Sequence, residues 1–256
     1  MKPQEIKVIM KKLIITIIAI VLFPITLYAE SSVWKLDSDS GSFYLAGSCH
    51  VLRKSDYPLP EEFESAYENV DQVIFETDID GLMSPDNQLL LISKGMYTGD
   101  DTLEKKLSKK AYESLVAFCR DRSMSIELFQ KFKPWMVTMT LLVLELEKNG
   151  ITSADGLDMY FSNKAKKDGM QTGGLEDVYK HVELVSTLGE EFDETIIESF
   201  IQEVEKLQVI MEDLIKSWRA GDEAGLDKYI SDNMRKESPK LYKKIILKCF
   251  IWQKQL

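Results

Sequence analysis

A chain of 256 residues, 45% hydrophobic and 29% charged, is long enough for one good-sized domain or two small ones and too apolar to be a disordered tail. Its formal charge of −10 argues against nucleic acid as a partner, because phosphate binding needs a basic face. Three cysteines, Cys49, Cys119 and Cys249, with no CxxC pair, exclude a disulfide framework and a zinc-finger pattern and leave room for one bridge.

The first 29 residues read as a signal peptide: Lys7, Lys11 and Lys12 precede an apolar run from Leu13 to Tyr28, followed by Ala29. The run is about 16 residues and Pro24 interrupts it, so it is short for a spanning helix of roughly 20. This leader carries four Lys against one Glu, so residues 30–256 are more acidic than the whole chain. Export to the periplasm or the medium is expected, with a membrane role only if the N-terminal segment is retained as an anchor.

Next, "SVWKLDSDSGSFYLAGS" sets two β-prone runs, about 32–37 and 42–47, around a turn cluster, which predicts a hairpin whose second strand is buried. "PLPEEFESAYENVD" places Phe63, Ala66, Tyr67 and Val70 on one helical stripe, and "QVIFETDI" follows as a buried strand. A small mixed sheet is the natural product of strand, helix and strand within about fifty residues.

Residues 84–169 carry helical signals throughout, with Pro134 suited to a first turn and Gly150 and Gly169 where helices stop. The 134–147 helix is apolar on most sides and is expected to be central, with Trp135 in the core. "MQTGGLE" returns to an extended run and "DVYKHVELVSTL" restarts a helix. From Phe192 through Ile196, Phe200, Val204, Leu207, Met211 and Leu214 to Trp218, spacings of three and four predict one long amphipathic helix ending at Gly221. No repeat or linker splits the chain, so residues 30–256 read as one α+β domain, a small mixed sheet with a large helical insertion.

HExxH, GxSxG, Walker and GxGxxG patterns are all absent. What remains are three polar residues at strand ends: His50 after "FYLAG", Glu76 closing "VIFE" and Glu176 closing "GGLE". Groups at strand ends converge on one sheet edge, and one imidazole with two carboxylates suits a divalent metal that keeps positions open for water. Taken singly, each has a structural alternative: His50 satisfied by backbone, Glu76 simply exposed, Glu176 capping a helix. His181, on the helix "DVYKHVELVSTL", reads as an ordinary surface or boundary residue.

In chain order, "LAGSCHVL", "LPEEFESAYENVDQVIFETD", "KPWM", "GLDMYF", "GGLEDVYKHVELV" and "WRAGD" resemble the motifs of the TraB/GumN family, whose relatives include Tiki-type metalloproteases and pheromone-shutdown proteins of the PrgY kind. The resemblance spans most of residues 42–222. It implies an α+β fold with a pseudo-symmetric small sheet and, for Tiki-like members, metal-dependent cleavage of peptides. Gly47 and His50 match the first GxxH motif, Glu76 the acidic partner after the next strand, and Glu176 the acidic residue of "GLE". The family pattern continues into an Arg-Asn helix and a strand with a second GxxH. This chain has "KCFIW" at the corresponding place and no histidine after His181, so the last strand is expected to be missing.

The expected protein is thus an exported bacterial hydrolase derivative acting on a peptide or protein substrate, with His50 and Glu76 catalytic and His50, Glu76 and Glu176 holding a divalent metal. The alternative expectation is a non-catalytic module that binds or sequesters a peptide or signal.

Overall fold

Two pairs of strands and a set of helices make up the fold in the computed structural model, which describes residues 31–39, 41–190, 194–228 and 243. The expected leader, Phe192, Cys249 and the C-terminal stretch where a strand was expected to be missing lie outside the described residues. Strands β1 (Val33–Ser38) and β2 (Gly41–Ala46) form an antiparallel hairpin that pairs Trp34 with Leu45 and Leu36 with Phe43. Gly41 sits at φ 142°, a conformation open to glycine where the chain reverses.

Strand β3 (Gln72–Thr77) pairs in parallel with β4 (Gln171–Glu176), in a register that sets Thr77 against Glu176. The α+β class is therefore as expected, but the strands form two separate two-stranded sheets rather than one mixed sheet. Nor is β2 buried: Phe43 and Leu45 are more than half exposed, and Trp34 and Leu36 are open as well. Cross-strand pairing decides how sheets join, and that is a non-local property a local pattern does not carry.

Helix α1 (Glu61–Glu68) connects the hairpin to β3 and buries Phe63, Ala66 and Tyr67. The long connection from β3 to β4 is helical: α2 (Ile79–Leu82), α3 (Pro85–Lys94), α4 (Leu103–Lys106), α5 (Lys109–Asp121), α6 (Pro134–Lys148) and α7 (Leu157–Asp168). Their starts follow local chemistry. Ser84, Thr102 and Ser108 each accept a hydrogen bond from a backbone N–H in the first turn, and Pro85 and Pro134 open their helices with a preset φ. Gly169 closes α7 in the left-handed conformation, at φ 68°. After β4 come α8 (Val178–Gly189), α9 (Thr195–Glu203), α10 (Leu207–Arg219) and α11 (Glu223–Asp227).

Two apolar clusters hold these elements. One joins α4, α5, α6 and α9 through Leu103, Leu115, Phe118, Val137, Leu141 and Ile197. The other joins the segment after β2 with α1, β3, α7 and α10 through Leu52, Phe63, Phe75, Leu157, Phe161 and Trp218. Helix α6 faces the first cluster on one side only, since Met139, Val143 and Leu144 are exposed. The expected continuous helix to Trp218 is broken by a 3₁₀ turn at Val204–Lys206. The break has a packing cause: α9 buries Ile197 in the first cluster, whereas α10 buries Ile215 and Trp218 in the second.

Cys49 and Cys119 are free thiols, the latter buried. Among the described residues no helix is long and apolar enough to cross a membrane.

Trp218 ties the second cluster to the segment after β2. Its ring lies 5.1 Å from Phe63, its Nε1 donates to the Gly47 carbonyl at 2.7 Å, and its own carbonyl accepts from Ser32 Oγ at 2.7 Å. Trp218→Phe keeps most of the apolar contact and leaves the Gly47 carbonyl without its donor, at a cost of about 2 kcal/mol. Thermal unfolding followed by circular dichroism is expected to show a melting temperature lower by about 6 °C.

Candidate functional site

The parallel pair β3–β4 brings two of the three sequence-predicted residues together. Glu76, one residue from the end of β3, and Glu176, the last of β4, lie close together at the strand ends, one residue out of register, since Thr77 is the partner of Glu176. Gly174 permits this approach, since a Cβ there would lie 2.3 Å from the Asp78 amide nitrogen. Helix α8 then begins at once, capped by Asp177, whose side chain accepts from the Lys180 N–H at 3.1 Å. The capping role open to Glu176 thus falls to its neighbour.

Helix α8 carries His181 back over the strand ends. Its Nδ1 lies 2.7 Å from Glu176 Oε2, with both side chains largely buried, at 18% and 10% exposure. One donor atom each from Glu76, Glu176 and His181 lie within 4.8 Å of one another. His181 is thus no ordinary surface residue. The signal that could have found it is its place five residues after Glu176, with Asp177 as the helix cap between them, which fixes it near the first turn.

His50 takes a different position. Its Nδ1 lies 2.7 Å from Asp158 Oδ2, and it is outside the group of three donors. Asp158 is the second residue of α7, and its carboxylate also accepts from Ser48 Oγ at 2.6 Å. The main chain sets this pair: the Leu157 N–H donates to the Cys49 carbonyl at 2.9 Å, and a Cβ on Gly156 would lie 2.1 Å from the His50 carbonyl oxygen. The segment carrying His50 can seat on α7 only because residue 156 is glycine. Asp158 sits inside the "GLDMYF" motif, yet spacing alone assigns it no partner.

The Asp158 hydrogen bond raises the His50 pKa above the ordinary imidazole value, and the nearby charges of Asp158 and Glu76 act in the same direction against partial burial. His50 and Glu76 are therefore in electrostatic reach of one another, although they share no ligand geometry. For Asp158, burial opposes ionisation, but the bonds from His50 and Ser48 outweigh it and hold the carboxyl below its usual range. Burial pushes the Cys49 thiol up to about 11, so this neighbour of His50 is a poor nucleophile.

The donor set of Glu76, Glu176 and His181 fits a divalent cation. Three donors at bonds of about 2.0–2.2 Å from one tetrahedral ion lie about 3.4 Å apart, so side-chain adjustments of about an ångström would close the group. With Nδ1 engaged by Asp158, His50 presents Nε2 to a substrate or to solvent, and its side chain is 70% exposed.

A family model described as the TraB/PrgY/gumN family matches residues 32–248. Among curated proteins, the chain is 23% identical over 146 residues to "Uncharacterized protein YbaP" of Escherichia coli strain K12, which covers 57% of this chain and 52% of that protein. The protein of the same name from Shigella flexneri is likewise 23% identical, over 145 residues, with the same coverage. The chain thus spans about half the length of the curated relatives it matches. No solved structure matches it.

The His50–Asp158 pair makes stability depend on pH in a definite sense. A raised histidine pKa contributes stability that is full below about 6.5 and is lost as pH rises through the folded value. The depressed Asp158 value contributes above the ordinary carboxyl range and is lost under stronger acid. Asp158→Asn is therefore expected to lower the melting temperature more at pH 5.5 than at pH 9. Because the imidazole is mostly exposed, the difference is about 3 °C or less. Equal shifts at the two pH values would show that the pair carries no charge-dependent stability.

Proposed function

The chain belongs to the TraB/PrgY/gumN family, and on that premise we propose that it is an exported, metal-dependent hydrolase acting on peptide bonds. The observation that carries the reading is the convergence of Glu76, Glu176 and His181 beside a histidine already oriented by a carboxylate. Two carboxylates and one imidazole leave coordination positions for water and substrate. Bound there, a divalent ion would polarise a scissile carbonyl and acidify a water.

The chain's own residues supply the rest. Glu176 and His181, both shielded from solvent, form a preorganised pair that cannot relax into water when a ligand leaves. Glu76 is exposed and so open to a substrate arriving from solvent. Asp158 holds His50 through Nδ1, so Nε2 is the atom that can pass a proton to the amine leaving from the cleaved bond. The Asp158 bond raises the imidazole pKa and so favours that proton, and the Ser48 hydroxyl fixes the carboxylate behind it. In this reading His50 works as the proton donor rather than as a metal ligand, and Glu176 and His181 anchor the ion.

The apolar run before Ala29 supports delivery through a secretory route. The acidic balance of the remaining chain supports a substrate other than nucleic acid.

The full chain, stripped of metal and reloaded in turn with zinc, manganese or cobalt, is expected to bind one equivalent and to cleave members of a quenched fluorescent peptide library. Glu176→Gln and His181→Ala are expected to lose both metal and activity. His50→Ala is expected to retain metal and lose about 10²–10⁴ in kcat. Full metal binding with no cleavage of any peptide would overturn catalysis and leave a peptide-binding module. Unchanged turnover in His50→Ala would remove His50 from the mechanism.

A further inference from the structure

An open groove of about 640 Å³ lies along α7 and is lined by Lys54, Tyr57, Asp155, Tyr160, Asn163 and Lys167 among others. That volume suits a small ligand or the end of a peptide. Tyr160, Asn163, Lys164 and Lys167 come from one helix at spacings of three and four, so they share a face. Lys54 and Tyr57 come from the segment that follows His50.

Most polar groups of the groove are already engaged. Tyr57 Oη donates to the Asp155 carbonyl at 2.7 Å, and the Asp155 carboxylate accepts from Thr152 Oγ1 at 3.0 Å. Tyr160 Oη and Lys164 Nζ both donate to Glu64. The Asp168 carboxylate accepts from Tyr67 Oη at 3.0 Å. Lys54, Lys167 and Asn163 are different: among the described residues their side chains have no partner. Two free ammonium groups and one amide therefore line a cleft in a chain whose overall charge is −10.

We propose that this groove binds the C-terminal carboxylate of a peptide, with Lys54 and Lys167 on the carboxylate and Asn163 on an adjoining peptide group. Ammonium groups are donors only, so the ligand has to bring acceptors. The carboxylates of Asp155 and Asp168 oppose a dianion such as phosphate more strongly than a singly charged carboxylate. No arginine lines the groove to offer the bidentate geometry that favours phosphate. The tilted rings of Tyr57 and Tyr160, 5.2 Å apart, form an aromatic wall for a peptide side chain. Burial raises both hydroxyls to about 12, so this wall stays uncharged.

The inference rests on the peptide reading for its choice of ligand, and its test is separate from catalysis. Binding of N-acetyl-trialanine to the full chain is followed by NMR titration with a chelator present, against the same peptide as its C-terminal amide. The free acid is expected to bind at least tenfold more tightly than the amide. Lys54→Glu and Lys167→Glu are each expected to weaken the acid about tenfold, and Lys109→Glu, on α5, is expected to leave it unchanged. Unchanged thermal unfolding establishes that the variants are folded. Equal binding of acid and amide, an equal effect of Lys109→Glu, or displacement of the peptide by an equal concentration of inorganic phosphate would overturn the assignment. Loss of cleavage by the intact protein would bear on the proposed hydrolysis and leave this result standing.

Discussion

The seating of residues 47–50 on the first turn of α7 is the constraint on which the site depends. It is made by backbone rather than by side chains: the Leu157 N–H meets the Cys49 carbonyl, and Gly156 gives up its Cβ to let the His50 carbonyl in. Further along, Leu52 and Thr152 exchange both main-chain bonds, at 3.2 and 2.9 Å. Trp218 closes the other side on Gly47, while Arg219 donates to the carbonyls of Asp56 and Pro58. Backbone bonds of this kind fix the segment without help from the His50 ring. The imidazole is therefore free to work, and Asp158 aims it.

This explains why motifs far apart in the chain belong together. "AGSCH" supplies the seated segment, "DGLD" its platform and "WRAGD" its clamp, with Ser32 tying the start of the hairpin to the same tryptophan. The hairpin itself contributes little to the buried core, since most of its large apolar side chains are exposed. Its value to the site is positional. Val33 pairs with Ala46, and the next backbone bond, from the Gly47 N–H to the Ser32 carbonyl at 2.7 Å, delivers the chain to the segment that carries His50.

Strand positions were legible within about a residue, because alternation and the "DSDSGS" turn are local signals, and the start of α6 was legible from Pro134 for the same reason. The separation into two sheets was not legible, since pairing depends on partners a hundred residues apart, as with Thr77 and Glu176. The break at Val204 was hidden because the spacing of apolar residues continues through it while the packing partner changes. For the site, Glu76 and Glu176 could be read as strand-end carboxylates, which a chain rarely places after apolar runs without a use for them. His181 could be reached only through its spacing from Glu176 across the Asp177 cap, and Asp158 could not, because its importance comes from what the start of α7 places opposite it.

The two histidines of the described chain show how burial divides one interaction into two kinds of chemistry. Each sets Nδ1 at 2.7 Å from a carboxylate, yet the His50 side chain is 70% exposed and that of His181 only 18%. An exposed imidazole exchanges protons with solvent at little cost, and a carboxylate behind it keeps one nitrogen occupied and the other basic. That is the arrangement for moving a proton. A shielded imidazole beside a shielded carboxylate, with a second, exposed carboxylate within 4.8 Å, gathers negative charge and donor atoms at one place. A divalent ion bound there, as proposed, would offset that charge. The proposed division, with proton transfer at His50 and ion binding at His181, follows from exposure.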